Sequence, residues 1–236
     1  EVSPPPLCRE EYNRMLRAGE TADARSNNCS GKHAGMLLHE VSIGGESGQY
    51  LDPSHPVQLR VKEVLSLFTG VDLDERTLGV DGCGLPTWQL SLEEIAQAYS
   101  RLGDDSFLAS VGFQEDASRL QRSLAEFPRE FSGAGRTPYR WSPHLSLDFL
   151  SKEGAEGTVA VWGPKGSLVV KVLDGRERGY RWVVPAILEE LGWVTKERIS
   201  AWRQEIPLVV ENVAGKEVGR VSVELPKPVT ISRQGA

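Results

Sequence analysis

The chain has 236 residues, a formal net charge of -6, and a composition that is 39% hydrophobic and 25% charged. This length can bury a sizeable core, and the negative charge argues against a broad nucleic-acid or anionic-membrane surface. No apolar run approaches the roughly 20 residues that a membrane helix needs. Three cysteines (Cys8, Cys29 and Cys83) are too few, and odd in number, for a disulfide framework. They favour a reducing, cytoplasmic setting.

The first half of the sequence is predicted to be mostly helical. Residues 9–18 form a short helix that Gly19 ends, and a second helix runs to about Val41. Pro56 opens a third helix that Gly70 ends, because proline suits the first turn and glycine the position after the last. The pair Ser91 and Glu94 has the spacing of a capping box for the next helix. A further helix is expected over residues 114–126, and residues 128–143, with three prolines and two glycines, are predicted as a long loop.

The last third of the sequence changes to a β-rich pattern. Thr158–Trp162 and Ser167–Leu173 are predicted as a hairpin around a Gly-Pro-Lys-Gly turn. A helix is expected near 176–191, with Pro185 starting or kinking it. Pro207–Glu211 and Val218–Leu225 are predicted as a second strand pair. Together these patterns predict one α+β domain over residues 1–236, layered α/β/α with an antiparallel sheet.

Residues 27–36 read Asn-Asn-Cys-Ser-Gly-Lys-His-Ala-Gly-Met and carry the densest set of reactive groups. A thiol, a hydroxyl, an amine and an imidazole (Cys29, Ser30, Lys32 and His33) fall within five positions. The asparagines and glycine favour a turn, and the residues behind them favour a helix. These groups are therefore expected where a loop enters a helix, and free backbone N–H groups there stabilise anions.

A metal site is one interpretation of the cysteines. Cys29 and His33 are four positions apart, so a helix would place them on one face, and Cys83 could add a third ligand from its glycine-flanked turn. Two sulfurs and one nitrogen would suit zinc with an open position. The alternative is that both cysteines are small buried residues without a ligand role. A Cys29–His33 nucleophile pair is less favoured, because the sequence offers no third partner.

Two further residues have open interpretations. Lys171 lies in a run that is apolar on both faces, as in a central strand, where burial would lower the lysine pKa and make it a base. The favoured alternative is an edge strand from which Lys171 reaches solvent. Asp81 could bind a substrate amine or orient a metal ligand, although such an aspartate more often bonds its own turn. No serine is followed by a lysine three positions later, and the Gly31-Lys32 pair does not complete a phosphate loop.

Four ordered motifs resemble one known family. They are the decapeptide above, Gly79-Val80-Asp81-Gly82-Cys83-Gly84-Leu85-Pro86, Gly154-Ala155-Glu156-Gly157, and Lys171-Val172-Leu173-Asp174-Gly175. The run Glu211 to Gly219 is similar to the closing segment of the same family. The chain resembles the bacterial asparaginase II family of the Rhizobium etli type over nearly its whole length.

The resemblance implies a fold similar to serine β-lactamases and penicillin-binding proteins, and hydrolysis of the asparagine side-chain amide to aspartate and ammonia. It implies zinc held by Cys29, Lys32 and Cys83, so that Lys32 replaces His33 as a ligand. His33 then becomes a neighbour of the metal site or a substrate contact, and Asp81 a candidate for the substrate α-amino group. It also implies a homodimer and a small-molecule amide substrate. The net charge and the absence of a long apolar run predict no nucleic-acid or membrane partner.

The resemblance further implies two serine–lysine pairs, with Lys171 as the lysine of one. The serine of that pair and the whole other pair lie before the Cys-Ser-Gly-Lys motif in this family, and the 28 residues before Cys29 hold no match. We therefore expect that the family's N-terminal segment is missing from this sequence, or is supplied as a separate chain. The alternatives are a non-catalytic metal-binding or partner module with the same fold, or a related amidase.

Overall fold

Helices dominate the first half of the molecule. The structure is a computed structural model that describes residues 5–45, 48–145, 148–206 and 208–226. The helices there are α1 Arg9–Ala18, α2 Ser30–Ser42, α3 Pro56–Thr69, α4 Leu92–Leu102, α5 Asp105–Ser110, α6 Gln114–Glu126, α7 Pro128–Ser132, α8 Thr137–Trp141, α9 Arg178–Glu190 and α10 Lys196–Glu205. Short 3-10 helices cover Ala24–Ser26 and Leu73–Glu75.

The helix ends follow the capping residues that the sequence indicates. Gly19 and Gly70 adopt left-handed conformations, with φ of 64° and 77°, directly after α1 and α3. Ser91 and Glu94 form both hydrogen bonds of the capping box at the start of α4. Pro185 lies inside α9 and does not start it. The predicted helices over 9–18, 56–69 and 114–126 are confirmed.

The loop predicted over residues 128–143 is wrong, because α7 and α8 lie within it. Pro128 and Pro138 both occupy the first turn of a helix, where the missing N–H group costs nothing. Prolines at those positions therefore start helices instead of breaking them. The glycines Gly133 and Gly135, with φ of 91° and 76°, form the break between the two helices.

Three small antiparallel sheets complete the described fold. The strands are β1 Leu78–Val80, β2 Pro86–Trp88, β3 Leu150–Gly154, β4 Thr158–Gly163, β5 Gly166–Lys171, β6 Val209–Glu211 and β7 Glu217–Arg220. β1 pairs with β2, β6 with β7, and the largest sheet has the order β3-β4-β5. The predicted hairpin over β4 and β5 and the second strand pair are confirmed, the latter with shorter strands, while Pro207 lies outside the described residues.

The hydrophobic core lies against one face of the β3-β4-β5 sheet. Val159 and Val161 point to this face, and helices α9 and α10 supply the buried side chains opposite. Trp141 of α8 makes edge-to-face contacts with Trp202 and Tyr180, at ring distances of 5.1 and 5.8 Å. Strand alternation at β4 and the apolar stripes of α9 and α10 therefore build this core.

Helix α4 packs on the opposite face of the same sheet. Ser167 of β5 donates a hydrogen bond to the Ala96 carbonyl of α4 at 2.6 Å, and Tyr99 contacts Trp162 of β4 at a ring distance of 4.9 Å. A helix layer on each face of an antiparallel sheet is the α+β class that the sequence predicts. Within the described residues, no helix has the length and apolar character to cross a membrane.

Candidate functional site

The reactive decapeptide forms the start of helix α2, as predicted. The Asn27 side-chain oxygen accepts a hydrogen bond from the Cys29 N–H group at 2.8 Å, which is an Asx turn. Cys29 is the residue before the helix, and its carbonyl accepts the His33 N–H at 3.1 Å. This turn places Cys29 at the N-cap of α2, with Lys32 and His33 in its first turn.

Asp81 organises the turn between β1 and β2. Its Oδ1 atom accepts hydrogen bonds from the backbone N–H groups of Cys83 and Leu85, both at 3.0 Å, and from the Cys83 thiol at 3.0 Å. Gly84 permits the turn because its φ is 89°. The aspartate does bond its own turn, as the more ordinary interpretation of the sequence holds.

The second carboxylate oxygen of Asp81 joins the two motifs. It lies 2.9 Å from the Lys32 ammonium group, and this ion pair connects α2 to the β1–β2 turn. Burial alone would raise the pKa of Asp81, but the hydrogen bonds from Cys83 and Lys32 outweigh it and hold that pKa below its usual range. Burial would lower the pKa of Lys32, and Asp81 outweighs it, so that this pKa is raised.

The two cysteine thiols of these motifs are neighbours. Burial, the hydrogen bond to Asp81 and a contact with Cys29 together raise the pKa of the Cys83 thiol to about 11. Cys83 therefore carries its proton at neutral pH while no metal is bound. The three cysteines are all free, and Cys8 lies elsewhere, where its thiol donates to the Ala134 carbonyl at 3.6 Å.

Tyr50 is a site residue that the sequence did not reveal. Its hydroxyl lies 2.8 Å from the Nδ1 atom of His33, and the two rings meet edge to face. Burial, with Cys83 and Glu40 nearby, raises the pKa of Tyr50. Gln58 of α3 holds the Tyr50 backbone carbonyl at 2.6 Å. His33 thus contacts Tyr50, and no spacing pattern around residue 50 could have indicated this.

Lys171 lies at the end of β5, which is an edge strand within the described residues. Its side chain is exposed, and its ammonium group donates to the carbonyl of Glu156. The Val172 N–H donates to the Gly157 carbonyl at 2.9 Å, and a Cβ at Gly157 would lie 2.8 Å from the carbonyl carbon of Gly175. The favoured expectation of an edge strand is confirmed, and the third and fourth motifs meet here.

Cys29, Lys32 and Cys83 are three donors of the type that zinc accepts. Two thiols and one amine would leave a fourth, open position in a tetrahedral site, and the thiols already converge beside the amine. No group of three or more His, Cys, Asp or Glu side chains suited to a metal occurs in the part of the chain that the structure describes. The expected zinc ligands are two cysteines and a lysine, so they do not form a group of that kind.

The L-asparaginase II family model matches residues 2–223. The chain therefore belongs to the L-asparaginase II family, whose members are amidohydrolases that act on asparagine. No curated protein matches the sequence.

Proposed function

We propose that this protein is an asparaginase that converts the side-chain amide of L-asparagine to aspartate and ammonia, by chemistry of the Rhizobium etli type. The family match over residues 2–223 is the observation that carries this proposal. The meeting of the first two motifs through Lys32 and Asp81 supports it, because residues 49 positions apart in sequence converge at one place.

The proposed reaction passes through an acyl-enzyme. A serine hydroxyl attacks the amide carbon, the Oγ–C bond forms and the C–N bond breaks. Lys171 takes the hydroxyl proton and passes it to the departing ammonia, and water then cleaves the ester to aspartate and free serine. The serine belongs to a segment that precedes the Cys-Ser-Gly-Lys motif in this family, supplied in the same polypeptide or as a separate chain.

Zinc is the proposed cofactor, held by Cys29, Lys32 and Cys83. When bound, it would supply a fixed positive charge that ties α2 to the β1–β2 turn. Lys32 and Cys83 both carry protons in the metal-free protein, so each must lose a proton to become a ligand. Zinc uptake should therefore release protons and be weaker in acid.

Asp81 and His33 are the proposed substrate contacts. Asp81 is a carboxylate that a substrate α-amino group could pair with once Lys32 has turned to the metal. His33, with one ring nitrogen held by Tyr50, can offer its other nitrogen to the substrate.

The test is ammonia release from L-asparagine and from L-glutamine, measured with the protein loaded with zinc. Activity on asparagine that a Lys171→Met change abolishes, and that a Lys165→Met change in the β4–β5 turn leaves intact, supports the proposal. Elemental analysis should find about one zinc per chain, which Cys29→Ser removes and Cys8→Ser does not. A protein without zinc would contradict the proposed metal site. Ammonia release by the Lys171 variant at the normal rate would contradict the proposed role of Lys171.

The second candidate is a non-catalytic metal-binding or partner module that retains the fold. One observation favours it: no serine in the sequence stands three positions before a lysine. Stoichiometric zinc binding without any ammonia release from either amide, with the whole native polypeptide in the assay, would support this candidate over the enzyme.

A further inference from the structure

Tyr50 lies in a loop that two helices hold in place. This loop, residues 48–55, leads into α3, and α2 and α3 each bind it through a buried polar side chain. Glu40 of α2 is 2% exposed, and its carboxylate accepts the Gly48 N–H at 3.3 Å. Gln58 of α3 is 1% exposed, and its side-chain amide donates to the Tyr50 carbonyl at 2.6 Å. Because buried polar groups are costly without partners, these bonds fix the loop.

The same loop follows one face of α2. His33 and Glu40 are seven positions apart in this helix, about two turns, so they share a face. The loop meets that face at both places, with the Tyr50 hydroxyl 2.8 Å from His33 Nδ1 and the Gly48 N–H on Glu40. The Tyr50 ring also meets the imidazole edge to face, with ring centres 5.7 Å apart. The loop therefore brings Tyr50 to His33 with its backbone bound at residues 48 and 50.

The hydrogen bond between Tyr50 and His33 has a direction that follows from the partners of the hydroxyl. The Tyr50 hydroxyl has one proton to donate, and among the described residues His33 Nδ1 is the one acceptor that it reaches. A hydroxyl that accepted a proton from Nδ1 instead would leave its own proton without a protein partner. In the neutral imidazole one nitrogen is an acceptor and the other a donor. With Nδ1 as the acceptor, the proton of the His33 ring is on Nε2.

His55, at the other end of the loop, shows the same arrangement without ambiguity. Its Nδ1 atom accepts the Val57 backbone N–H at 3.3 Å, and a backbone N–H can only donate. In the neutral ring the His55 proton is therefore on Nε2, which lies 3.3 Å from the buried Glu40 carboxylate. The Tyr50 hydroxyl takes the place at His33 that the Val57 N–H takes at His55.

We infer that Tyr50 is a positioning residue of the site: its hydroxyl donates to His33 Nδ1 and so makes His33 Nε2–H a hydrogen-bond donor toward the substrate. His33 stands next to Lys32, whose amine reaches Asp81, and its Nε2 atom has no hydrogen-bond partner among the described residues. Such a donor binds an oxygen of asparagine and not its α-ammonium group, for which the Asp81 carboxylate is proposed. The inference rests on the proposed function for the identity of the substrate.

The first experiment locates the ring proton of His33. Proton–nitrogen correlation NMR of the isotope-labelled native protein, at about pH 8.5 where imidazole is neutral, distinguishes a protonated ring nitrogen from a bare one. The His33 signals, identified by their loss in His33→Gln, should show a bare Nδ1 and a protonated Nε2, as should those of His55. Tyr50→Phe keeps the ring and should move the Nδ1 signal of His33 and not that of His55. A proton on His33 Nδ1, or an Nδ1 signal that Tyr50→Phe leaves in place, overturns the inference.

The second experiment measures the KM for asparagine in ammonia release. Tyr50→Phe should raise KM by about twofold to tenfold with kcat nearly unchanged, the effect of one neutral hydrogen bond on a binding group. His33→Ala should also raise KM, and Tyr50→Phe added to it should change nothing further, because Tyr50 acts through His33. Tyr12→Phe removes the hydroxyl of an exposed tyrosine on α1 and should leave KM unchanged. Additive effects of the Tyr50 and His33 changes would contradict the positioning role.

The two experiments separate this inference from the proposed function. A bare His33 Nδ1 that depends on Tyr50, in a protein that releases no ammonia from asparagine, would refute the proposed function and leave the direction of the hydrogen bond as inferred. Ammonia release by a protein with its proton on His33 Nδ1 would refute only the inference. If Tyr50→Phe does not fold, the position of the His33 proton in the wild-type protein decides.

Discussion

The ammonium group of Lys32 lies 2.9 Å from the carboxylate of Asp81, and this one ion pair joins the start of α2 to the β1–β2 turn. The other oxygen of the same carboxylate holds the turn itself through two backbone N–H groups and the Cys83 thiol. Asp81 therefore has a structural task in the metal-free protein, in addition to the substrate contact proposed for it.

Replacing Asp81 with alanine should destabilise the protein. The change leaves the N–H groups of Cys83 and Leu85 without their acceptor, and we expect a loss of about 1–3 kcal/mol in the free energy of unfolding. Asp81→Asn keeps an acceptor oxygen and should lose less. Lys32→Met removes only a partly exposed ion pair and should lose at most about 1 kcal/mol. Urea unfolding of the three variants measures these free energies. An equal loss for all three would contradict the role of Asp81 as the acceptor that holds the turn.

Replacing Lys171 with alanine should lower asparagine turnover by about a hundredfold to ten-thousandfold, the range that a positioned acid or base contributes. Because Lys171 is exposed and its ammonium group has one hydrogen bond among the described residues, to the Glu156 carbonyl, stability should hardly change. Rates of ammonia release and thermal unfolding, measured on the same preparation, separate the two effects. Near-normal turnover would remove Lys171 from the proposed chemistry.

Replacing Arg136 with methionine should be strongly destabilising. Arg136 donates a hydrogen bond to the Glu153 carboxylate at 2.7 Å, and Glu153 is buried. Without Arg136, the Tyr180 hydroxyl would be its one remaining side-chain partner among the described residues, and unpairing such a charge costs about 3–5 kcal/mol. The double change with Glu153→Gln should recover part of that loss. As a matched control, Arg129→Met breaks the exposed pair with Glu10 and should cost under about 1 kcal/mol. Comparable losses of unfolding free energy for Arg136→Met and Arg129→Met would show that the buried ion pair contributes no more to stability than the exposed one.

Much of the fold could be predicted from local chemistry. Gly19, Gly70 and the Ser91–Glu94 pair each specify a helix end within a few residues, so the helices that they bound were predicted with nearly the observed limits. Strand β3 was not predicted, because Leu-Ser-Lys-Glu-Gly has few β-branched or aromatic residues. Its pairing with β4 forms it.

The candidate site could be predicted in its parts and not in its connections. Spacing indicated Cys29 and Cys83, and the family resemblance added Lys32 and a role for Asp81, but no sequence rule pairs Lys32 with a carboxylate 49 positions away. Helical spacing left a Cys29–His33 pair open as one interpretation, and it could not indicate the contact of His33 with Tyr50, since spacing fixes which face a residue occupies and not which loop packs on it. Zinc and the homodimer stay predictions.

The close contact between Gly157 and Gly175 holds the third and fourth sequence motifs, residues 154–157 and 171–175, against each other. No side chain fits between these turns, and the Lys171 ammonium group is held to a carbonyl of the third motif. The amine thus has a backbone carbonyl as its hydrogen-bond partner in this structure. A variant of Gly157 that lost activity would consequently report a displaced amine, and it would say nothing about a chemical role for the glycine.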